Sequence, residues 1–345
     1  MQIYIHIGMH KTGTTSIQKI LLNNSEKLKT LGYRAFVNLP QMNAKNNEYF
    51  DPAWLRHRVD LAKKDGLQAI IFSAEMISTF NSRQLNSFME AFIDYDVSFI
   101  VCFRHWVSFL PSRWAQNCSR RDTQSFHAYL KNLRNHDRTH VDARFDIVVE
   151  RLIATNPRNI KIISYDNATT LGRLLPTCLS AFDLPQIFVN SFQGVNLRAN
   201  ITTDIENTEL VRLFNGLYSL RNTLESNELF MAISKAIPVE RSYDFSKNIR
   251  TILHNHEELK KQLVDIIKEN RITVPLSRND NHITRWEKSV EEISSGFIFN
   301  PHNAMLFADV PDVEFVCSEI ELDDLPVRIQ EKMAVAFRIV DAQNN

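Results

Sequence analysis

The chain has 345 residues, of which 44% are hydrophobic and 23% charged, as in an ordinary soluble globular protein. Its 40 basic and 40 acidic side chains cancel, so no global field attracts nucleic acid or an anionic membrane, and any anion site must be local. No run approaches the roughly 18 apolar residues of a membrane span. The four cysteines, Cys102, Cys118, Cys178 and Cys317, show neither metal-site nor disulfide spacing. We therefore expect a cytoplasmic protein that holds no metal.

Short apolar runs alternate with helical patterns in the first half of the sequence, which is typical of βαβ units and a parallel sheet. Helical spacing is shown, for example, by Ile17 and Leu21, and again by Leu85, Phe88 and Phe92. The predicted strands cover residues 2–7, 33–37, 68–72, 98–103 and 159–164.

From about Asn200 the strand-like runs nearly vanish and helical patterns take over. Apolar residues at helical spacing between Ile249 and Ile267 predict an amphipathic helical segment with a charged outer face. Residues 271–281 and 296–311 are predicted to be irregular. We therefore divide the chain into an α/β core, residues 1–199, and a mainly helical region, residues 200–345, which could still belong to the same domain.

The most informative stretch is the loop GMHKTGTT, from Gly8 to Thr15, directly after the first strand. A helix that starts behind such a loop presents unsatisfied amides and a positive dipole end to an anion. Lys11 adds a full charge, and Thr14 or Thr15 is predicted to cap the helix. The simpler interpretation is a surface loop that only caps a helix, but the composition favours a phosphate or sulfate site.

The loop is not a Walker A motif, because that motif places its lysine immediately after the second glycine. Here Lys11 comes two residues before Gly13. A Walker ATPase also needs a magnesium-binding aspartate at the end of a neighbouring strand. The third and fourth runs end in IIFSAE and IVCFRH, and Asp166 after the fifth is the only near candidate. Both features argue against an ATPase.

The loop resembles the 5′-phosphosulfate loop of sulfotransferases that use 3′-phosphoadenosine 5′-phosphosulfate (PAPS), written G-x-x-[KR]-[ST]-G-[ST]-[ST]. A second motif of that family, an arginine after the fourth strand and a serine eight residues later, is matched by Arg104 and Ser112 in RHWVSFLPS. The resemblance covers about residues 1–190. It implies a P-loop, nucleotide-kinase-like sulfotransferase fold for the core. The helical patterns after Asn200 add a helical C-terminal extension, which could cover the acceptor cleft.

The resemblance also implies roles for individual residues. Lys11 would stabilise the leaving group, and Arg104 with Ser112 would bind the 3′-phosphate. The 5′-phosphosulfate would be held by Lys11, Thr12, Gly13, Thr14 and Thr15.

Glu75, just beyond the third strand, is the candidate general base, with an ordinary helix start as the competing interpretation. His10 is the alternative base or a substrate contact. Trp114 and Gln116 are candidate acceptor contacts, although core packing explains the tryptophan equally well. The sequence departs from the family at Trp106 and His10, where prolines are common, and Arg198 is only a weak substitute for the third 3′-phosphate element.

The expected reaction is transfer of a sulfuryl group from PAPS to a hydroxyl or amine, most commonly on a carbohydrate in proteins of this kind, without a metal. Adenosine 3′,5′-bisphosphate would be the product. Two alternatives remain open at this stage. One is an atypical nucleotide-dependent kinase, and the other is a non-catalytic nucleotide-binding module.

Overall fold

The computed structural model describes residues 1–37, 52–140, 142–192, 204–220, 245–299, 306–307 and 310–344. The chain forms two compact units, each built from three segments. We call them the sheet unit (residues 1–109, 137–200 and 278–311) and the helical unit (residues 110–136, 201–277 and 312–345). The sequence suggested a single division at residue 199. A junction does lie at residue 200, but residues 110–136 and 278–311 belong to the opposite units.

The sheet unit contains the predicted parallel sheet, with five strands in the order β2-β3-β1-β4-β5. Parallel strands covered on both faces form continuous apolar runs. For this reason their sequence signal is strong, and β3 is buried along its whole length. All five predicted strands are confirmed, with ends that differ by at most two residues. They are β1 Gln2–Gly8, β2 Tyr33–Val37, β3 Ala69–Ser73, β4 Asp96–Phe103 and β5 Asn159–Ser164.

The strand register determines where the functional loops meet. In β1, His6 pairs with Ser73 of β3, and Gly8 pairs with Cys102 of β4. Since all the pairs are parallel, the loops that follow β1, β3, β4 and β5 leave from the same edge of the sheet. Ligands of open α/β sheets bind at this edge, where the strand order reverses. The sheet therefore brings the chain after Gly8 close to the chain after Ser73 and Phe103.

Helices flank the sheet and build most of the helical unit. Helix α5 starts in the sheet unit and continues into the helical unit. The helices are α1 Thr14–Asn23, α2 Ser25–Thr30, α3 Pro52–Lys64, α4 Ser82–Met89, α5 Trp106–Ser119, α6 Phe126–Asn135, α7 Phe145–Ala154, α8 Tyr165–Thr170, α9 Leu174–Ala181, α10 Gln186–Asn190, α11 Ile205–Leu220, α12 Phe245–Asn255, α13 Glu257–Glu269, α14 Asn281–Ser294 and α15 Val327–Asn344, with 3₁₀ turns at Glu75–Thr79, Glu90–Phe92 and Leu322–Asp324.

The helical unit packs α11, α12, α13 and α15 around an apolar cluster that includes Leu210, Phe214, Ile252, Leu263 and Met333. The predicted helical stripe between residues 249 and 267 is present, divided into two helices. None of the helices in the described ranges is both long and apolar enough to cross a membrane.

Two predicted irregular segments contain β-structure. Residues 271–276 were predicted to be a loop, but Arg271–Leu276 forms β6, which pairs antiparallel with β7, Val313–Ser318. The prediction was wrong because Pro275 suggested a break, whereas a short two-stranded ribbon tolerates proline. In the second segment, Ile298 forms a parallel bridge with Ile162 and extends the sheet beyond β5.

Candidate functional site

The loop between β1 and α1 has an unusual backbone. Lys11 adopts a left-handed conformation with φ 63°, and Gly13 does the same with φ 81°. For a residue with a side chain, such a conformation costs about 1–2 kcal/mol. The hydroxyl of Thr12 braces the turn by donating a hydrogen bond of 2.7 Å to the Met9 carbonyl. Backbone strain at a loop of this kind is typical of ligand-binding sites.

The first turn of α1 faces the loop without a side-chain cap. Gly13 is the N-cap residue, so the prediction that Thr14 or Thr15 caps the helix is wrong. The cause is the left-handed conformation of Gly13, which starts the helix at Thr14. Gly13 has no side chain to cap the helix, and the Ser16 amide donates to the Gly13 carbonyl at 3.0 Å. The amides of Thr14 and Thr15, together with the positive end of the helix dipole, are therefore the groups of this turn that suit an anion.

Gly8 and Thr14 make the closest approach in the loop. A Cβ atom on Gly8 would lie 2.1 Å from Thr14 Oγ1, a distance that no real contact allows. The Thr14 side chain is only 1% exposed, and its hydroxyl has no hydrogen-bond partner among the described residues. A buried hydroxyl without a partner is costly, which indicates a ligand that supplies one. Thr15, by contrast, is exposed.

Arg104, which directly follows β4, reaches the same loop. Its guanidinium donates a hydrogen bond of 3.2 Å to the carbonyl oxygen of Lys11, 93 positions earlier in the sequence. The Nε–H group donates to Ser108 Oγ at 3.0 Å, and the guanidinium carbon lies 5.0 Å from the centre of the Tyr165 ring. The two motifs found in the sequence are thus joined by a direct hydrogen bond.

Asp166, the nearest sequence candidate for a magnesium ligand, is engaged in internal hydrogen bonds. One carboxylate oxygen accepts from the His105 amide at 2.6 Å, and the other accepts from the Ser108 hydroxyl at 2.8 Å. The carboxylate therefore ties the end of β5 to the start of α5. Within the described ranges, no group of three or more His, Cys, Asp or Glu side chains could hold a metal ion.

His10 and Glu75, which the sequence named as alternative bases, lie side by side. His10 Nδ1 is 3.3 Å from Glu75 Oε2, and the two side chains are 15% and 29% exposed. His10 belongs to the loop after β1, and Glu75 opens the 3₁₀ turn after β3. The alternatives therefore form one partly buried pair at the carboxyl edge of the sheet.

A second histidine, His6 in β1, is fully buried. His6 Nδ1 is 2.8 Å from Ser73 Oγ, and the Gln18 amide donates to the carbonyl and the hydroxyl of Ser73 at 3.1 and 3.3 Å. Burial lowers the pKa of His6 from 6.5 to about 4, although the nearby charge of Glu75 acts in the opposite direction. His6 is therefore neutral at physiological pH and connects β1, β3 and α1.

The remaining predicted residues lie elsewhere. Ser112 is buried in the part of α5 that belongs to the helical unit, so Arg104 and Ser112 fall into different units. Trp114 is 0% exposed, donates its indole N–H to the Gln124 carbonyl and packs against Phe126 and Phe315, as a core residue does.

Gln116 is half-buried and accepts a hydrogen bond from Arg113 at 3.3 Å. Arg198 lies outside the described residues. Trp106, which replaces the family's proline, is a core residue that donates to the Asp142 carbonyl.

Sequence reasoning missed three residues that build the site. Ser108, Tyr165 and Gln18 contact Arg104 or Ser73, yet none belongs to a motif. Ser108 carried no helical signal either, because Arg104 precedes α5, which begins at Trp106. The chain matches no family model, no curated protein and no solved structure.

Replacing Gly8 with alanine should destabilise the protein by about 1–3 kcal/mol, because the new methyl group overlaps Thr14 and the loop has to shift. Gly296→Ala is the matched control, since a Cβ there meets nothing within 4 Å. Urea unfolding of both variants measures the free energy of unfolding. An equal, small effect at the two positions would refute the close approach of Gly8 and Thr14.

The buried His6 should make the protein sensitive to acid. Because its folded pKa is about 4 and its unfolded value 6.5, the unfolded state binds the extra proton first. Stability contributed by neutral His6 is fully present above pH 6.5 and is lost as the pH falls towards 4, in total about 3 kcal/mol. Unfolding measured from pH 7 to 4 should show this loss in the wild type and in the surface control His127→Gln. A His6→Gln variant with the same pH dependence as the wild type would contradict the assignment.

Proposed function

We propose that this chain is a PAPS-dependent sulfotransferase. The observation that carries the proposal is the hydrogen bond from Arg104 to the Lys11 carbonyl, because it joins the two motifs that resemble the family's two anion-binding elements. PAPS carries a phosphosulfate at one end of its ribose and a 3′-phosphate at the other. A loop rich in amide donors next to a guanidinium suits a ligand with two anionic ends.

The donor groups of the loop fit the 5′-phosphosulfate. They are the first-turn amides of α1, the Thr14 hydroxyl that has no partner among the described residues, and the Lys11 ammonium. Gly8 and Gly13 give the backbone the close approach and the left-handed turn that the loop needs. Arg104 would take the 3′-phosphate, since among the described residues two of the five N–H groups of its guanidinium find acceptors, Ser108 and Lys11. The role of Ser112, which belongs to the helical unit, stays a prediction from the resemblance.

In the proposed reaction, an acceptor oxygen or nitrogen attacks the sulfur of PAPS. A new bond to sulfur forms, and the bond from sulfur to the bridging oxygen of the phosphosulfate breaks. The bridging oxygen leaves with the electron pair as part of adenosine 3′,5′-bisphosphate. Charge develops on that oxygen in the transition state, where a fixed cation is most effective, and Lys11 supplies the cation.

The acceptor must also lose a proton, and the pair formed by His10 and Glu75 provides the base. In the tautomer in which His10 Nδ1–H donates to the Glu75 carboxylate, Nε2 is left to accept the proton. A carboxylate behind a histidine orients the ring and stabilises the imidazolium, as in other acid–base sites. Glu75 then orients His10. The alternative, which the sequence favoured, is that the Glu75 carboxylate itself takes the proton.

The acceptor class follows from the resemblance rather than from a pocket. Among proteins with these motifs, carbohydrate hydroxyls are the commonest acceptors, so we propose a saccharide and a cytoplasmic reaction that needs no metal.

The kinase and the non-catalytic binding module make different predictions for nucleotide binding and turnover. Calorimetry and a transfer assay therefore distinguish both alternatives from the sulfotransferase.

Calorimetry should show that the protein binds adenosine 3′,5′-bisphosphate, and a saccharide panel should reveal sulfate transfer from PAPS. Lys11→Ala should lower turnover by about two to three orders of magnitude, the usual loss for one transition-state donor. Lys19→Ala is a control, because Lys19 is exposed on α1. Preference for ATP with magnesium would favour a kinase. Tight bisphosphate binding without transfer to any acceptor would favour a binding module.

The proposed base predicts that His10→Asn and Glu75→Gln each reduce turnover, His10→Asn by about 10² to 10⁴. The double variant should lose little more than the worse single variant, because the two groups act as a unit. His127→Asn is the matched control, since His127 forms a 3.2 Å pair with Glu319 on the surface. Near-normal turnover of His10→Asn beside an inactive Glu75→Gln would assign the base to Glu75 alone.

A further inference from the structure

Arg104 is held by a chain of hydrogen bonds that ends on a carboxylate. Its Nε–H donates to Ser108 Oγ at 3.0 Å. The Ser108 hydroxyl has two acceptors within reach, Asp166 Oδ1 at 2.8 Å and the His105 carbonyl at 3.1 Å. The shorter contact goes to an ionised oxygen, which makes the stronger hydrogen bond. The hydroxyl therefore donates to Asp166 and accepts from Arg104.

Asp166 is itself fixed relative to Arg104. Its second oxygen accepts from the amide of His105, the residue that follows Arg104, at 2.6 Å. The carboxylate is thus anchored to the backbone at the end of β4 and, through Ser108, to the guanidinium. Tyr165 packs against the guanidinium with a ring centre 5.0 Å away. These contacts restrict a side chain that is otherwise flexible.

The intervening hydroxyl matters because it leaves the cation available for a ligand. Elsewhere in the sheet unit, Arg144 binds Asp146 directly, with Nε and a terminal nitrogen on the carboxylate at 2.9 and 2.8 Å. Such a bidentate pair occupies the donors that would otherwise bind a phosphate. At Arg104, the Ser108 hydroxyl lies between the guanidinium and the Asp166 carboxylate. The charge of Asp166 therefore orients the guanidinium, and the carboxylate does not occupy its terminal nitrogens.

From these contacts we infer that Asp166 is a positioning residue for Arg104. Asp166 acts through the Ser108 hydroxyl and thereby sets the affinity of Arg104 for the 3′-phosphate. This inference rests on the proposed function. It makes Asp166 a part of nucleotide selection, whereas the sequence suggested it only as a possible metal ligand. The hydrogen-bond chain polarises towards the carboxylate, which strengthens each of its members.

The test compares two nucleotides that differ only in the 3′-phosphate. The full chain is titrated with adenosine 3′,5′-bisphosphate and with adenosine 5′-monophosphate, and the ratio of the two dissociation constants isolates the contribution of the 3′-phosphate. The ratio of the monophosphate dissociation constant to the bisphosphate dissociation constant should fall by about three- to tenfold in Ser108→Ala, on the scale of coupling between neighbouring residues, because bisphosphate binding weakens more than monophosphate binding. Asp166→Asn should do the same, and the double variant should lose no more than the worse single variant.

Two controls separate positioning from general destabilisation. Ser108→Thr keeps the hydroxyl and should keep the ratio, and Asp146→Asn removes a carboxylate from an arginine pair elsewhere and should also keep it. Unfolding curves of every variant show whether it is folded, and Ser108→Ala remains informative even where Asp166→Asn does not fold. An unchanged ratio of the two dissociation constants in Ser108→Ala would overturn this inference and leave the proposed function standing. A wild type with no preference for the bisphosphate would remove the proposed function and this inference with it.

Discussion

The hydrogen bond between the Arg104 guanidinium and the Lys11 carbonyl is the contact on which the candidate site depends. A left-handed residue other than glycine is unfavourable in isolation, so Lys11 needs stabilising contacts from its surroundings. Arg104 provides one of them from the end of the neighbouring strand. The same bond brings the backbone of Lys11 and the guanidinium of Arg104 together at one edge of the sheet. The contact that stabilises the loop geometry is thus also part of the proposed anion site.

The sequence predicted the sheet well because the strands are buried on both faces. Continuous apolar runs such as AIIFS in β3 and SFIVCF in β4 are typical of strands that are covered on both faces. The helical patterns between these runs predict that the strands are parallel. The short ribbon β6–β7 was missed for the opposite reason. Its residues are only partly buried, and Pro275 suggested a break. Local patterns therefore identify elements that the core requires and fail for elements that only cover it.

The functional residues divide in the same way. The motif glycines and Lys11 could be found because the chemistry of an anion loop demands those residue types at that spacing. The pairing of His10 with Glu75 could not, since it depends on the register that sets the end of β1 beside the end of β3. Thr14 and Thr15 illustrate the limit of local rules. A threonine at a helix start usually caps it, but the conformation of Gly13 shifts the start by one residue and turns Thr14 inward against Gly8.

Two histidines in the first ten residues show how burial assigns different roles to the same side chain. His6 is enclosed by the sheet, and desolvation lowers its pKa to about 4, so it contributes no positive charge at neutral pH. His10, four residues later, is partly exposed and faces a carboxylate. The loops at this edge supply the basic groups of Lys11 and Arg104 as well as the carboxylates of Glu75 and Asp166. The proposed site thus has an uncharged histidine inside the sheet and a second histidine, paired with a carboxylate, next to Lys11 in the loop, an arrangement that would suit the proposed transfer of an anionic group to a hydroxyl.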